Sequence, residues 1–315
     1  MPPKRRKSTD PPSAPEPKKQ ATRRSTRSKA PVIQKAHTES PEPTIKPPSK
    51  VTKGKESAKS KESATKEPAA KEGSTPLTIK TDKKSITCLE YSPASISKKD
   101  TPTLIFTHGA GGTLAADAVV NFCTGYSTLA PILAFKGSMN LASRVKDFHA
   151  CLSHLAETQG KSKTIVLGGR SMGARAAVIT ATELLAESRE PKPQVSLILV
   201  SYPLKGPKDV RDQILYKLLA SVKVLFIVGD RDAMCPSDLL DDVRMDVRMK
   251  AKSKVVVVKG ADHGMHVKPA AKEKEFGEET GKVAAEWVSG GSQAGLGVGN
   301  DEIGGKEYSD SDSDW

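Results

Sequence analysis

Thr164-Ile165-Val166-Leu167-Gly168-Gly169-Arg170-Ser171-Met172-Gly173-Ala174-Arg175-Ala176-Ala177 is the stretch from which the rest of the chain can be read. It opens with β-branched and aliphatic residues suited to a short buried strand and closes with residues that favour helix. Between the two stands Gly169-x-Ser171-x-Gly173. A serine carried on so tight a strand-to-helix turn leaves no room for side chains at the flanking positions, which is why glycine suits both. The turn presents the hydroxyl at the carboxyl edge of the sheet. That is the setting of a nucleophile. The Met172 side chain reads as core, while its backbone N–H lies directly after the serine. Arg170 could draw an anionic substrate group or sit in a structural ion pair, the commoner fate; Arg144, on a helix, has the weaker claim to a substrate.

A serine hydroxyl needs a base, and the base needs an acid to orient it. Downstream, the apolar run Val224–Val228 ends in Gly229-Asp230-Arg231-Asp232, and Lys254–Val258 runs into Gly260-Ala261-Asp262-His263-Gly264. Both groups leave the carboxyl ends of strands, where ligands collect in open α/β sheets. Asp232 follows Ser171 by 61 residues and His263 follows Asp232 by 31, room for a strand and a helix in each interval. The order Ser171, Asp232, His263 is nucleophile, acid, base. Asp230 competes with Asp232 for the acid and otherwise reads as a turn cap. His266 competes with His263, but a histidine just beyond the strand is better placed to reach the serine.

The negative charge that develops on a substrate carbonyl needs preorganised N–H donors. Met172 supplies one. The other is expected from His108-Gly109-Ala110-Gly111-Gly112, after the strand Thr103–Thr107, with Ala110 preferred and Gly111 next. His108 reads as a side chain that fixes this loop. The glycine-rich loop lacks either phosphate-binding pattern, G-x-G-x-x-G or G-x-x-x-x-G-K-[ST].

Around these motifs, strand candidates (Ser85–Tyr91, Thr103–Thr107, Pro131–Phe135, Thr164–Leu167, Val195–Val200, Val224–Val228, Lys254–Val258) alternate with helical periodicity at Leu141–Glu157, Met172–Ala186, Asp238–Lys250 and Ala270–Val288. Alternation of this kind specifies a mostly parallel sheet with helices on both faces. Residues 76–290 suffice for one such domain. Between Val200 and Val224 only Tyr202-Pro203-Leu204 and one expected helix intervene, so the lid is minimal and the site shallow.

Residues 1–75 differ in kind. They hold 19 Lys/Arg against 8 Asp/Glu, a difference of +11 out of the chain's formal +13, so the pI near 9.4 belongs to this arm and not to the domain. Few large apolar side chains occur there, and the expectation is disorder. Lys4-Arg5-Arg6-Lys7 and the cluster from Lys18 to Lys29 resemble nuclear-import signals; a plain basic tail would contact polyanions or nucleic acid weakly. Residues 291–315 read as a Gly-rich linker and an acidic tail in which Ser309, Ser311 and Ser313 resemble acidophilic-kinase sites. Cys88, Cys123, Cys151 and Cys235 lack metal-ligand spacing and read as free buried thiols. No metal or cofactor is called for, and no apolar run approaches the roughly 20 residues of a membrane span.

The strings HGAGG at 108–112, GGRSMGARAA at 168–177, RDQILYKLL before VLFIVGDRDAMC, and GADHGMHV at 260–267 resemble the α/β-hydrolase-like family of testis-expressed protein 30 and the third regulatory subunit of the nonspecific-lethal acetyltransferase complex. The resemblance spans about residues 85–290. It implies an α/β-hydrolase fold related to dienelactone-hydrolase-like enzymes, and triad roles for Ser171, Asp232 and His263. Some members are described by membership of chromatin complexes. Two functions are therefore expected: hydrolysis of a small acyl ester or thioester, or a catalytically silent nuclear scaffold whose partners are chromatin-complex proteins. A membrane lipase lacks support without a lid or amphipathic anchor. Nuclear residence is expected, with the cytoplasm also compatible.

Overall fold

The computed structural model describes residues 73–93, 101–188, 190–290 and 297–298. The basic clusters, the acidic serines and nearly all of both expected tails lie outside the described residues. Strands β1 (Ser74–Lys80), β2 (Ser85–Tyr91), β3 (Leu104–Thr107), β4 (Ile132–Phe135), β5 (Thr164–Arg170), β6 (Gln194–Val200), β7 (Lys223–Gly229) and β8 (Lys252–Val258) form one sheet, to which the two-residue β9 (Gly297–Val298) adds at the edge. The order is β1-β2-β4-β3-β5-β6-β7-β8-β9. β2 pairs antiparallel with β1 and β4. From β4 through β3 to β9 every pairing is parallel. This is the α/β-hydrolase fold.

The central strands are apolar on both sides, because helices cover both faces. On one face α2 (Leu141–Gln159), α3 (Met172–Glu187) and α4 (Ser237–Met245) pack over alternate strand residues such as Ile105, Leu167, Leu197 and Phe226. On the other, α1 (Asp117–Tyr126) and α5 (Lys272–Val288) cover Leu104, Phe106, Ile198 and Ile227. Aromatic contacts join sheet to helix on each side. Phe106 of β3 stacks on Phe122 of α1 at 4.7 Å, and Phe135 of β4 meets Phe148 of α2 edge-on at 4.8 Å; such pairs contribute about 0.5–1.5 kcal/mol beyond burial. All four cysteines are buried and unbridged.

Four local expectations change. β1 lies outside the expected strand set and begins at Ser74, and α1 was not expected at all. α4 stops at Met245, five residues before the expected end: Asp246 follows in extended conformation and takes the Arg248 side chain. The helix expected between β6 and β7 is a single 3-10 turn, Leu215–Lys217. Leu204, Leu215 and Leu218 are buried, and the Tyr202 hydroxyl donates to Arg211 O at 2.8 Å, so side-chain burial holds this segment down with a single turn of helical bonding. No helix among the described residues is long and apolar enough to cross a membrane.

Candidate active site

Ser171 sits between β5 and α3 at φ 52°, ψ −112°, a left-handed backbone that costs a non-glycine residue of order 1–3 kcal/mol and persists only where its surroundings impose it. The surroundings are visible. A Cβ on Gly169 would lie 2.5 Å from the Gly173 carbonyl carbon, and one on Gly173 would lie 2.5 Å from Thr107 O. The Ser171 N–H donates to Val200 O at 2.9 Å, which locks the elbow onto β6.

Asp232 and His263 arrive from adjacent strands, since Gly229 of β7 pairs with Val258 of β8. The turns beyond them interlock: Arg231 N–H donates to Ala261 O at 3.0 Å, and a Cβ on Gly229 would lie 2.1 Å from that same oxygen. His263 must then reach back across three strand spacings, roughly 14 Å, from β8 to the end of β5. It does so with Nδ1 2.9 and 3.0 Å from the two Asp232 carboxylate oxygens and Nε2 3.0 Å from Ser171 Oγ. The ring is therefore set with Nδ1–H donating to Asp232 and Nε2 free to accept from the serine hydroxyl. The Asp232 side chain is fully buried, and its Oδ1 also accepts the N–H groups of Met234 (2.8 Å) and Cys235 (3.2 Å), which keeps the buried carboxylate solvated by the backbone. Burial, reinforced by the Asp232 charge, pushes the neighbouring Cys235 thiol up to about 12, so it remains protonated.

The competing residues are occupied elsewhere. Asp230 is exposed and accepts the Gly260 N–H at 2.6 Å, a cap on the turn after β8. His266 points its Nδ1 at Glu273, 3.3 Å away, with two thirds of its side chain in solvent. Arg170 donates through Nη2 to the backbone carbonyl of His263, tying the returning loop to the elbow. Its pKa is lowered by burial, against the pull of Asp232 and Asp262, and its Nε is buried without a partner. A cavity of about 160 Å³ opens beside it, walled by Phe122 of α1, Phe276 of α5, Val200 and Met265; Ser171 is not among the lining residues.

In the loop after β3, Gly109 abuts the elbow: a Cβ there would lie 3.3 Å from Ser171 Cβ. Gly111 N–H is taken by the Met139 sulfur at 2.9 Å, and Gly112 N–H by Gly109 O at 3.4 Å. Among the described residues no protein acceptor meets the N–H of Ala110 or of Met172, the first residue of α3. His108 lies within the loop, Nδ1 at 2.7 Å from Gly109 O and Nε2 accepting Gly137 N–H at 3.1 Å. Burial lowers its pKa, further lowered by Arg144 and Lys136, against the effect of the Gly109 bond. Arg144, which sequence reading ranked low, is completely buried against this same loop.

Residues 100–289, well over half of the chain, match the alpha/beta hydrolase domain family. Among solved structures the chain is similar to an alpha-beta serine hydrolase homologue from Coxiella burnetii (19% identity, TM-score 0.53, covering 66% of this chain and 96% of that one). It is also similar to Est1E from Butyrivibrio proteoclasticus (14%, 0.53, 68% and 99%) and to a dienelactone hydrolase from Anabaena variabilis (14%, 0.54, 70% and 98%). At these identities the likeness is one of fold. The family match together with this sheet order makes the chain a member of the alpha/beta hydrolase domain family.

Proposed function

We propose that this protein is a serine hydrolase that cleaves a small acyl ester or thioester. The observation that carries the reading is the continuous hydrogen-bonded line Asp232, His263, Ser171, with both ring nitrogens within 3.0 Å of their partners. Ser171 Oγ attacks the acyl carbon as its proton passes to His263 Nε2. The carbonyl oxygen becomes an oxyanion facing the N–H groups of Ala110 and Met172. Collapse breaks the bond to the alcohol or thiol, which leaves with the proton from Nε2, and water repeats the sequence on the acyl-serine. Asp232 keeps Nδ1–H in place and stabilises the imidazolium while it exists. Without a helical lid between β6 and β7, small or exposed substrates fit better than long lipids. The motif strings support kinship with the family of testis-expressed protein 30 and the third regulatory subunit of the nonspecific-lethal acetyltransferase complex, and the basic clusters of residues 4–29 favour the nucleus; a silent scaffold for chromatin-complex proteins is the competing function.

A fluorophosphonate probe separates the two. Purified protein should form a covalent adduct at Ser171 with loss of fluoride, and Ser171→Ala should abolish both the adduct and hydrolysis of short p-nitrophenyl esters. Folded protein that neither labels nor turns over esters and thioesters would favour the scaffold.

A further inference from the structure

We propose that Arg144 is the positioning residue for the oxyanion donor at Ala110, an assignment that rests on the hydrolase reading above. Arg144 lies on α2, and its side chain is completely buried. Its guanidinium meets four backbone carbonyls from two loops. Nη1 donates to His108 O and Nη2 to Gly109 O at 3.4 Å, on the loop after β3. Nε donates to Ser138 O at 2.9 Å and Nη2 to Gly137 O at 3.4 Å, on the loop after β4. No carboxylate among the described residues comes within ion-pair distance of it. A buried cation without a direct counter-ion loses its hydration, and here the oriented carbonyl dipoles take the place of that water. Burial lowers its pKa to about 10, partly opposed by Asp147, which still leaves it charged at neutral pH.

The consequence lies in one peptide unit. Gly109 C=O and Ala110 N–H belong to the same planar trans peptide and so point in opposite directions. Gly109 O accepts from His108 Nδ1 (2.7 Å), from Gly112 N–H (3.4 Å) and from Arg144 Nη2 (3.4 Å). Donors gathered on that oxygen turn the Ala110 N–H away from the guanidinium and keep it unpaired. A positive charge behind the carbonyl also polarises the amide, which makes its N–H a stronger donor to an oxyanion. The fit is specific: a Cβ on Gly137 would lie 2.6 Å from Arg144 Nε and 2.9 Å from Cζ, so the guanidinium rests against bare backbone.

Three variants of the full chain test this: Arg144→Met removes the cation, Arg144→Lys keeps the charge without the fork, and Gly137→Ala displaces the guanidinium while leaving it in the protein. Two quantities are read, the kcat and KM of p-nitrophenyl butyrate hydrolysis and the ¹⁵N resonances of Ala110 and Met172. An amide nitrogen responds to hydrogen bonding at the carbonyl of its own peptide. Variants with a wild-type circular dichroism spectrum should lose roughly 10- to 100-fold in kcat while KM stays within about threefold. The Ala110 resonance should move upfield and that of Met172 should stay. Unchanged kcat in a folded variant overturns the assignment, as does a kcat loss in which Ala110 is unmoved. If Arg144→Met fails to fold, Gly137→Ala carries the test. If the wild-type chain is not labelled at Ser171, the hydrolase reading fails separately. The Ala110 resonance then decides alone: movement upholds control of this peptide by Arg144, and no movement overturns it.

Discussion

Asp230 and Asp232 stand two residues apart beyond β7 and receive different partners. One caps the Gly260 N–H from an exposed position, and the other, buried, holds His263. Asp232→Asn should therefore lower kcat by roughly 10³- to 10⁴-fold, because the amide stabilises neither the tautomer nor the charge of the imidazole. Asp230→Asn retains an oxygen for Gly260 and should leave turnover within about threefold. Steady-state kinetics on the two purified variants make the comparison, and the opposite ranking would move the acid to Asp230. Sequence alone could only prefer one, since both follow the strand within three residues and the path of the turn selects between them. Ala110 and Gly111 pose the same problem. It is the Met139 sulfur, 28 residues away, that occupies the Gly111 N–H.

At the scale of elements, β1 and α1 were the illegible ones, for opposite reasons. β1 is an edge strand of mostly exposed residues with Pro76 inside it, so it carries little apolar alternation and a residue tolerated only at an edge. α1 contains Val119, Val120, Asn121, Cys123 and Gly125 within ten residues and has no side-chain cap, a composition with poor intrinsic helicity. It forms because α5 is smooth opposite it. A Cβ on Gly125 would lie 1.8 Å from Glu278 O, and one on Gly281 would lie 2.2 Å from Phe122 O, so the two backbones touch. Gly281→Ala should thus destabilise the protein by about 2 kcal/mol or more by overpacking, although alanine in an isolated helix would gain about 1 kcal/mol. Urea denaturation decides the sign; a gain in stability would mean that the contact yields without cost.

Over the whole molecule, the site depends on loops from both halves of the sheet being held in register, and His108 joins two of them as a neutral ring. Its nitrogens are already committed, Nδ1 toward Gly109 O and Nε2 as acceptor of Gly137 N–H, and burial depresses its pKa. In the unfolded chain the imidazole takes a proton near pH 6.5. Below that pH the unfolded state binds more protons than the native one, so the His108 contribution to stability is fully present above about 6.5 and declines as pH falls toward the depressed native value. The melting temperature should accordingly drop between pH 7.5 and 5.5, and drop less in His108→Gln, which cannot take up that proton. Equal drops in the two proteins would place the acid sensitivity elsewhere.

The strand-turn-helix around Ser171, the order of serine, acid and base, and the alternation that builds a parallel sheet are local patterns, and local patterns are what a sequence displays. They determined the α/β-hydrolase fold, the elbow, and the strands whose carboxyl ends carry Asp232 and His263. Tertiary structure alone decided which carboxylate the histidine meets, which loop N–H is left unpaired, and that Arg144 is drawn inside to face four carbonyls. Those choices arise between segments far apart in the chain, where backbone dipoles have no sequence signature. In the sequence Arg144 has only a weak claim to a substrate, whereas the fold buries its guanidinium against the loop beside Ser171.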